Sequence, residues 1–139
     1  MRRGQGFTLL ETVVVLGLVS VLLAAAVPSY RQYVMRGHRA HARAALLHLA
    51  QAMERTATVH GSYPLAQDIA PGDLVVEGHR YTLSVDSIDG RGFRLVAMPT
   101  AAQMADPCGA FQLDQTGRRG QAPTAQVPVP LDARICWEQ

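Results

Sequence analysis

The chain has no lysine, only two cysteines, and no acidic side chain between Thr12 and Met53. The short motifs of the common catalytic sites are missing too. There is no G-x-S-x-G nucleophile elbow, no H-E-x-x-H metal helix and no glycine loop of the kind that cradles phosphates. No catalytic residue is therefore assigned, no cofactor is expected, and an enzyme is the least supported class. Cys108 and Cys136 lack both C-x-x-C spacing and a neighbouring histidine, so they do not read as a zinc site. His38 and His41 stand three apart on a candidate helix and could clip a metal ion. Without a third ligand such a pair reads as solvated surface, and no metal site is assigned.

What the chain does have is concentrated near its start. Gly6-Phe7-Thr8-Leu9-Leu10-Glu11 opens an apolar run that continues to Val27 with a single charge, Glu11. As a helix that run spans roughly 32 Å, about the hydrocarbon thickness of a bilayer. A carboxylate inside the first turns of such a span is costly and points to a function. An ordinary secretory signal has an apolar core of about 7–15 residues with a small-residue cleavage site beyond it, which Leu22-Leu23-Ala24-Ala25-Ala26 could imitate. Glu11 at the front and the length of the run argue against that alternative.

These residues resemble the processing site of the type IV pilins and their pseudopilin relatives. The resemblance implies that a prepilin peptidase cuts between Gly6 and Phe7, that Phe7 becomes N-methylated, and that Phe7 and Glu11 act in filament assembly. It implies a leader at 1–6, a transmembrane or filament-core helix at 7–28 and a globular head at 29–139. Many pilins have a helix-weakening glycine in mid-span where this chain has Ser20, with Gly17 nearby.

Loss of the leader removes Arg2 and Arg3, which carry the formal net charge of +2. The remaining basic and acidic side chains are equal in number, so the sequence pI of 8.8 does not argue for a nucleic-acid partner. In an exported head, Cys108 and Cys136 read as one disulfide; two free buried thiols or a metal pair are the alternatives. Arg31, Arg36, Arg39 and Arg43 follow the span and outnumber the charges before it, which by the positive-inside rule favours a cytoplasmic head. The processing motif and the cysteines place the head in the periplasm instead.

Between Tyr30 and Thr58 there is no proline and one glycine, and Leu46, Leu49 or Ala50, Met53 and Ala57 recur at helical spacing. One helix is predicted from about Phe7 to about Thr58, kinked near Pro28, with Arg39, Arg43, Gln51 and Arg55 on its other faces. Gly61-Ser62-Tyr63-Pro64 ends it, and 64–73 reads as a loop. Tyr81, Leu83 and Val85 alternate with polar neighbours, as do Phe93, Leu95 and Ala97 after the turn at Asp89-Gly90. These two strands make a hairpin, with Phe111 and Leu113 in a third strand. Residues 118–134, with three prolines, read as an irregular loop tied back by Cys136. The fold class is α+β: a long kinked N-terminal helix packed on a small antiparallel sheet. The Tyr63-Pro64 pair and the Cys108–Cys136 tail strengthen the resemblance to type IV pilins, in particular to minor pilins of the PilE type.

The expected role is a minor pilin needed for pilus assembly and hence for twitching motility, adhesion or DNA uptake. A type II secretion pseudopilin is the first alternative and a membrane-anchored DNA- or ligand-binding module the second. Expected partners are other major and minor pilins through their N-terminal helices, the prepilin peptidase, the inner-membrane assembly machinery, and the membrane itself before assembly. The Arg31–Arg43 face is read first as pairing with neighbouring subunits or resting at lipid. Nucleic acid is possible there but not expected. The implied course is a single-pass inner-membrane protein that ends in an extracellular pilus.

Overall fold

The computed structural model describes residues 8–100 and 103–138, in two units divided between Val34 and Met35. Gly6 and Phe7 lie outside the described residues. Helix α1 (Leu9–His60) runs through 52 residues of both units. Its start is chemically marked: the Thr8 hydroxyl oxygen accepts the Glu11 backbone N–H at 3.2 Å, an N-cap bond. In the first unit the Thr12 and Ser20 hydroxyls donate to the Leu9 and Leu16 carbonyls, each at 2.8 Å. The two hydroxyls are thereby satisfied within the helix, and its large apolar side chains from Leu9 to Val27 face outward. Its most apolar part, with mean hydropathy 2.5 and no buried residue, is long enough to cross a membrane. Pro28 sits inside the helix, where it has no N–H to give to the preceding turn.

In the second unit α1 lays one stripe on a four-stranded antiparallel sheet, ordered β1 (Tyr81–Asp86), β2 (Arg94–Pro99), β3 (Ala110–Asp114) and β4 (Arg119–Ala122). Register follows the period-two pattern. Leu83 faces Ala97, Ala97 faces Phe111 and Leu95 faces Leu113, so the apolar rows of three strands fall on one side. Leu46, Met53, Tyr81, Leu95 and Phe111 are fully enclosed between helix and sheet. Burying each large side chain stabilises the fold by about 1.5–3 kcal/mol.

The loop expected at 64–73 is partly ordered into short 3-10 turns at Ala66–Asp68 and Pro71–Leu74, followed by another at Glu77–His79. Residues 118–134 depart from the irregular loop expected of them. They begin with β4 and end at a six-residue helix, α2 (Ala133–Glu138), that carries Cys136 and Trp137. Two glycines are required by close approach. Gly90 turns at φ +69° with its carbonyl accepting from Tyr63 N–H at 2.9 Å, and a Cβ on it would meet the Tyr63 oxygen at 3.0 Å. Gly109, at φ +62°, lies so near β4 that a Cβ would meet the Ala122 carbonyl at 2.8 Å. Both sheet edges are partly covered: Trp137 Nε1–H donates to the Gly120 carbonyl at 3.0 Å beside β4, and Val75 bridges to Thr82 beside β1.

Candidate functional site

The arginine row after the apolar span does not stay on one surface. Arg39 is buried, and its guanidinium holds the fully enclosed Asp106 carboxylate: Nε donates to Oδ2 at 2.8 Å and Nη2 lies 2.8 Å from Oδ1. Gln103 Nε2 contacts Asp106 Oδ2, the Tyr81 hydroxyl at 3.2 Å and the Met35 carbonyl at 3.3 Å. The Cys108 N–H donates to Asp106 Oδ1 at 2.9 Å. Burial, with the Asp106 charge, pushes the Tyr81 hydroxyl pKa upward, so this ring stays a neutral member of the network. The expectation that Arg39 and Arg43 lie on other faces than the apolar stripe is corrected here. Arg43 is half-buried and donates to the Cys136 carbonyl at 2.9 Å. The signal was present in the sequence: stepping back from Leu46 by four and then three residues lands on Ala42 and Arg39, on the same stripe as Leu49 and Met53. An arginine in that phase needs a buried acid from elsewhere in the chain.

The histidine pair is separately engaged. His41 Nδ1 lies 3.3 Å from the Glu77 carboxylate. Partial burial, then Arg80 and His41, lower the His38 pKa and favour its neutral form. Among the described residues no three His, Cys, Asp or Glu side chains come together as metal ligands.

Cys108 and Cys136 are bonded, with their Cα atoms 5.8 Å apart. The bridge pins α2 against the sheet, where Trp137 packs edge-on to Phe111 at 5.6 Å between centroids, and Phe111 packs on Tyr81 at 5.9 Å. Tyr81 and Trp137 thus pack in the core and at the sheet's edge.

A different basic cluster emerges on the head. Arg94, Arg118 and Arg119 are exposed and make no ion pair among the described residues. Asp114 stands opposite Arg94 in the register, yet its carboxylate is directed into its own turn. It accepts from the Thr116 hydroxyl at 2.6 Å, the Thr116 N–H at 2.9 Å and the Arg118 N–H at 3.1 Å. Those bonds, the hydroxyl's foremost, hold its pKa below the usual carboxylate value. Two grooves meet at Arg119. One, of about 460 Å³, runs between α1 (Leu47, Gln51, Glu54, Arg55) and Leu113; the other, of about 290 Å³, is lined by Arg94, Gln112, Asp114 and Arg118. The larger groove at the far end of α1, about 740 Å³, carries Asp68, Asp73 and Asp89 and would repel an anion.

Residues 28–112 match the family described as type IV minor pilin ComP, DNA uptake sequence receptor, and residues 1–27 match the prokaryotic N-terminal methylation motif. The chain belongs to the ComP family of type IV minor pilins. Among solved structures it is similar to a type IV pilin from Shewanella oneidensis, at 36% identity and a TM-score of 0.53. That match covers 65% of this chain and 94% of the other. The non-core minor pilin PilV of Neisseria meningitidis shares the fold at 22% identity and a TM-score of 0.54, covering 72% of this chain and 98% of that one. No curated protein matches the sequence. As a minor pilin, the chain is a structural subunit of a type IV pilus, anchored through its apolar N-terminal helix before assembly. Arg94 of the exposed cluster lies within the family match, and Arg118 and Arg119 follow closely after it.

Proposed function

We propose that this minor pilin enters the filament through α1 and presents on its head an arginine surface that contacts DNA. The observation that carries the DNA reading is the set Arg94, Arg118 and Arg119, exposed beside two grooves whose acids are engaged, Asp114 in its own turn and Glu54 with the Tyr63 hydroxyl. The description of the family as a DNA uptake sequence receptor supports it. Guanidinium groups bind phosphate oxygens in a planar, two-pronged fashion that suits the DNA backbone. The Arg31–Arg43 row of α1 is less suited, since Arg39 and Arg43 serve the head's own interior.

Changing Arg94, Arg118 and Arg119 to glutamine one at a time is expected to lower the slope of log affinity against log salt by about one each. The triple variant should lose most DNA binding while melting like wild type. Filter or gel-shift titration of the full chain in detergent, with fragmented chromosomal DNA from the producing cell, measures this. A triple variant that binds as wild type would remove the DNA reading.

For assembly, the processed chain would begin at Phe7 with a methylated amine, its head in the periplasm and later outside the cell. A carboxylate in hydrocarbon costs several kcal/mol unless it is paired or neutralised. The Glu11 main-chain N–H is satisfied by Thr8, and among the described residues its carboxylate makes no hydrogen bond. The Phe7 amine of an adjacent subunit is the proposed partner, which would fix the axial step between helices. Glu11→Gln should be cleaved and inserted normally, with intact mass showing an N-terminus at Phe7, yet be absent from sheared filaments. Wild-type abundance of Glu11→Gln in those filaments would end the charge-pairing role.

A further inference from the structure

We infer that Trp137 is a positioning residue for Arg119, and that α2 thereby forms part of the DNA contact. The inference rests on the DNA reading above and adds a residue that carries no charge of its own. The Arg119 guanidinium carbon lies 5.3 Å from the centroid of the Trp137 ring. β4 is a four-residue edge strand, and an arginine on such a strand, otherwise unpaired, would sweep many rotamers. The attraction of the ring for the cation restricts that freedom. The cation is held over the ring, and its N–H groups that do not face the ring are left for phosphate oxygens. The ring is itself immobilised: its N–H donates to the Gly120 carbonyl at 3.0 Å and its edge packs on Phe111. The adjacent Cys136 is tied to Cys108 and, through its carbonyl, to Arg43. Arg119 is thus held where the two grooves meet.

Trp137 is the only tryptophan in the sequence, so its emission reports on this one ring, and Arg119→Ala isolates the share that comes from the arginine. The experiment titrates the oxidised full chain in detergent with fragmented chromosomal DNA while recording tryptophan fluorescence and, separately, binding by gel shift. The expected result is an emission change that saturates with binding. Arg119→Ala should abolish the change while weaker binding through Arg94 and Arg118 persists. Trp137→Phe keeps a ring but loses the N–H and part of the π face, and should bind about two- to five-fold more weakly. Trp137→Leu should be weaker still, with melting curves used to confirm that each variant is folded.

A wild-type emission that ignores saturating DNA, while Arg119→Ala still weakens binding, overturns the positioning role and leaves the DNA reading standing. So does wild-type affinity in a folded Trp137→Leu. If Trp137→Leu does not fold, the wild-type titration and Trp137→Phe decide. If neither Arg119 nor the other two arginines affect DNA binding, the parent reading falls and this inference falls with it.

Discussion

Replacing Asp106 by alanine is expected to destabilise the head by about 3–5 kcal/mol. A domain of this size has about 5–15 kcal/mol in total, so the variant should melt far below wild type. The cost comes from what is left behind. With Asp106 gone, Arg39 keeps its charge in a buried position and has no anion to face it. The Cys108 N–H and the Gln103 amide lose an acceptor in the same step. The net worth of the intact pair is a separate quantity and is expected to be small, because both ions were desolvated to form it. Arg39→Met combined with Asp106→Leu should therefore recover most of the lost stability. Urea denaturation of the detergent-solubilised full chain, followed by circular dichroism, separates the two statements. A single Asp106→Ala variant within about 1 kcal/mol of wild type would show that the network is decorative.

Cutting the disulfide is the second large effect. Cys108 and Cys136 are 28 residues apart, and closing such a loop is worth about 3–4 kcal/mol in the chain-entropy model. For a head of this length Cys136→Ser should lower the melting temperature by roughly 12–24 °C. The structure adds a consequence that loop entropy alone lacks: freeing Cys136 releases α2, which withdraws Trp137 from Phe111 and uncovers the Gly120 carbonyl. Differential scanning of the oxidised and reduced wild type, beside Cys136→Ser, gives the comparison. Equal melting of all three would place the stability of the tail in packing and remove the bridge from the account.

The parts of the fold that were legible share one property, an apolar period long enough to count. α1 offered a stripe through Leu46, Leu49 and Met53, and β1 to β3 alternated at Tyr81–Leu83, Leu95–Ala97 and Phe111–Leu113. The strand β4 reads Arg-Gly-Gln-Ala and has no such alternation; it exists because β3 pairs with it and Trp137 covers it. Six residues are too few for α2 to form by local propensity, since helix nucleation is unfavourable. Its order is tertiary, imposed by a bond to Cys108 and a carbonyl contact to Arg43. The same blindness to long-range partners hid Arg39. Its phase on the helix was readable, but Asp106 is 67 residues away and nothing local connects the two. The DNA-contact candidates were obscured because charge was read along the chain. The groove at the sheet's edge that Arg94, Arg118 and Arg119 line together, and the turn that occupies Asp114, exist only in three dimensions.

The guarded margins of the sheet bear on how such a chain survives its own crowding. A strand left bare at a sheet edge invites pairing with a strand of a neighbouring copy. With the Gly120 carbonyl bonded to indole and Val75 laid against Thr82, the heads have fewer backbone groups with which to stick to each other. An association through the apolar stretch of α1 would then meet less competition from strand addition at these two places on the sheet, where pairing has no built-in end.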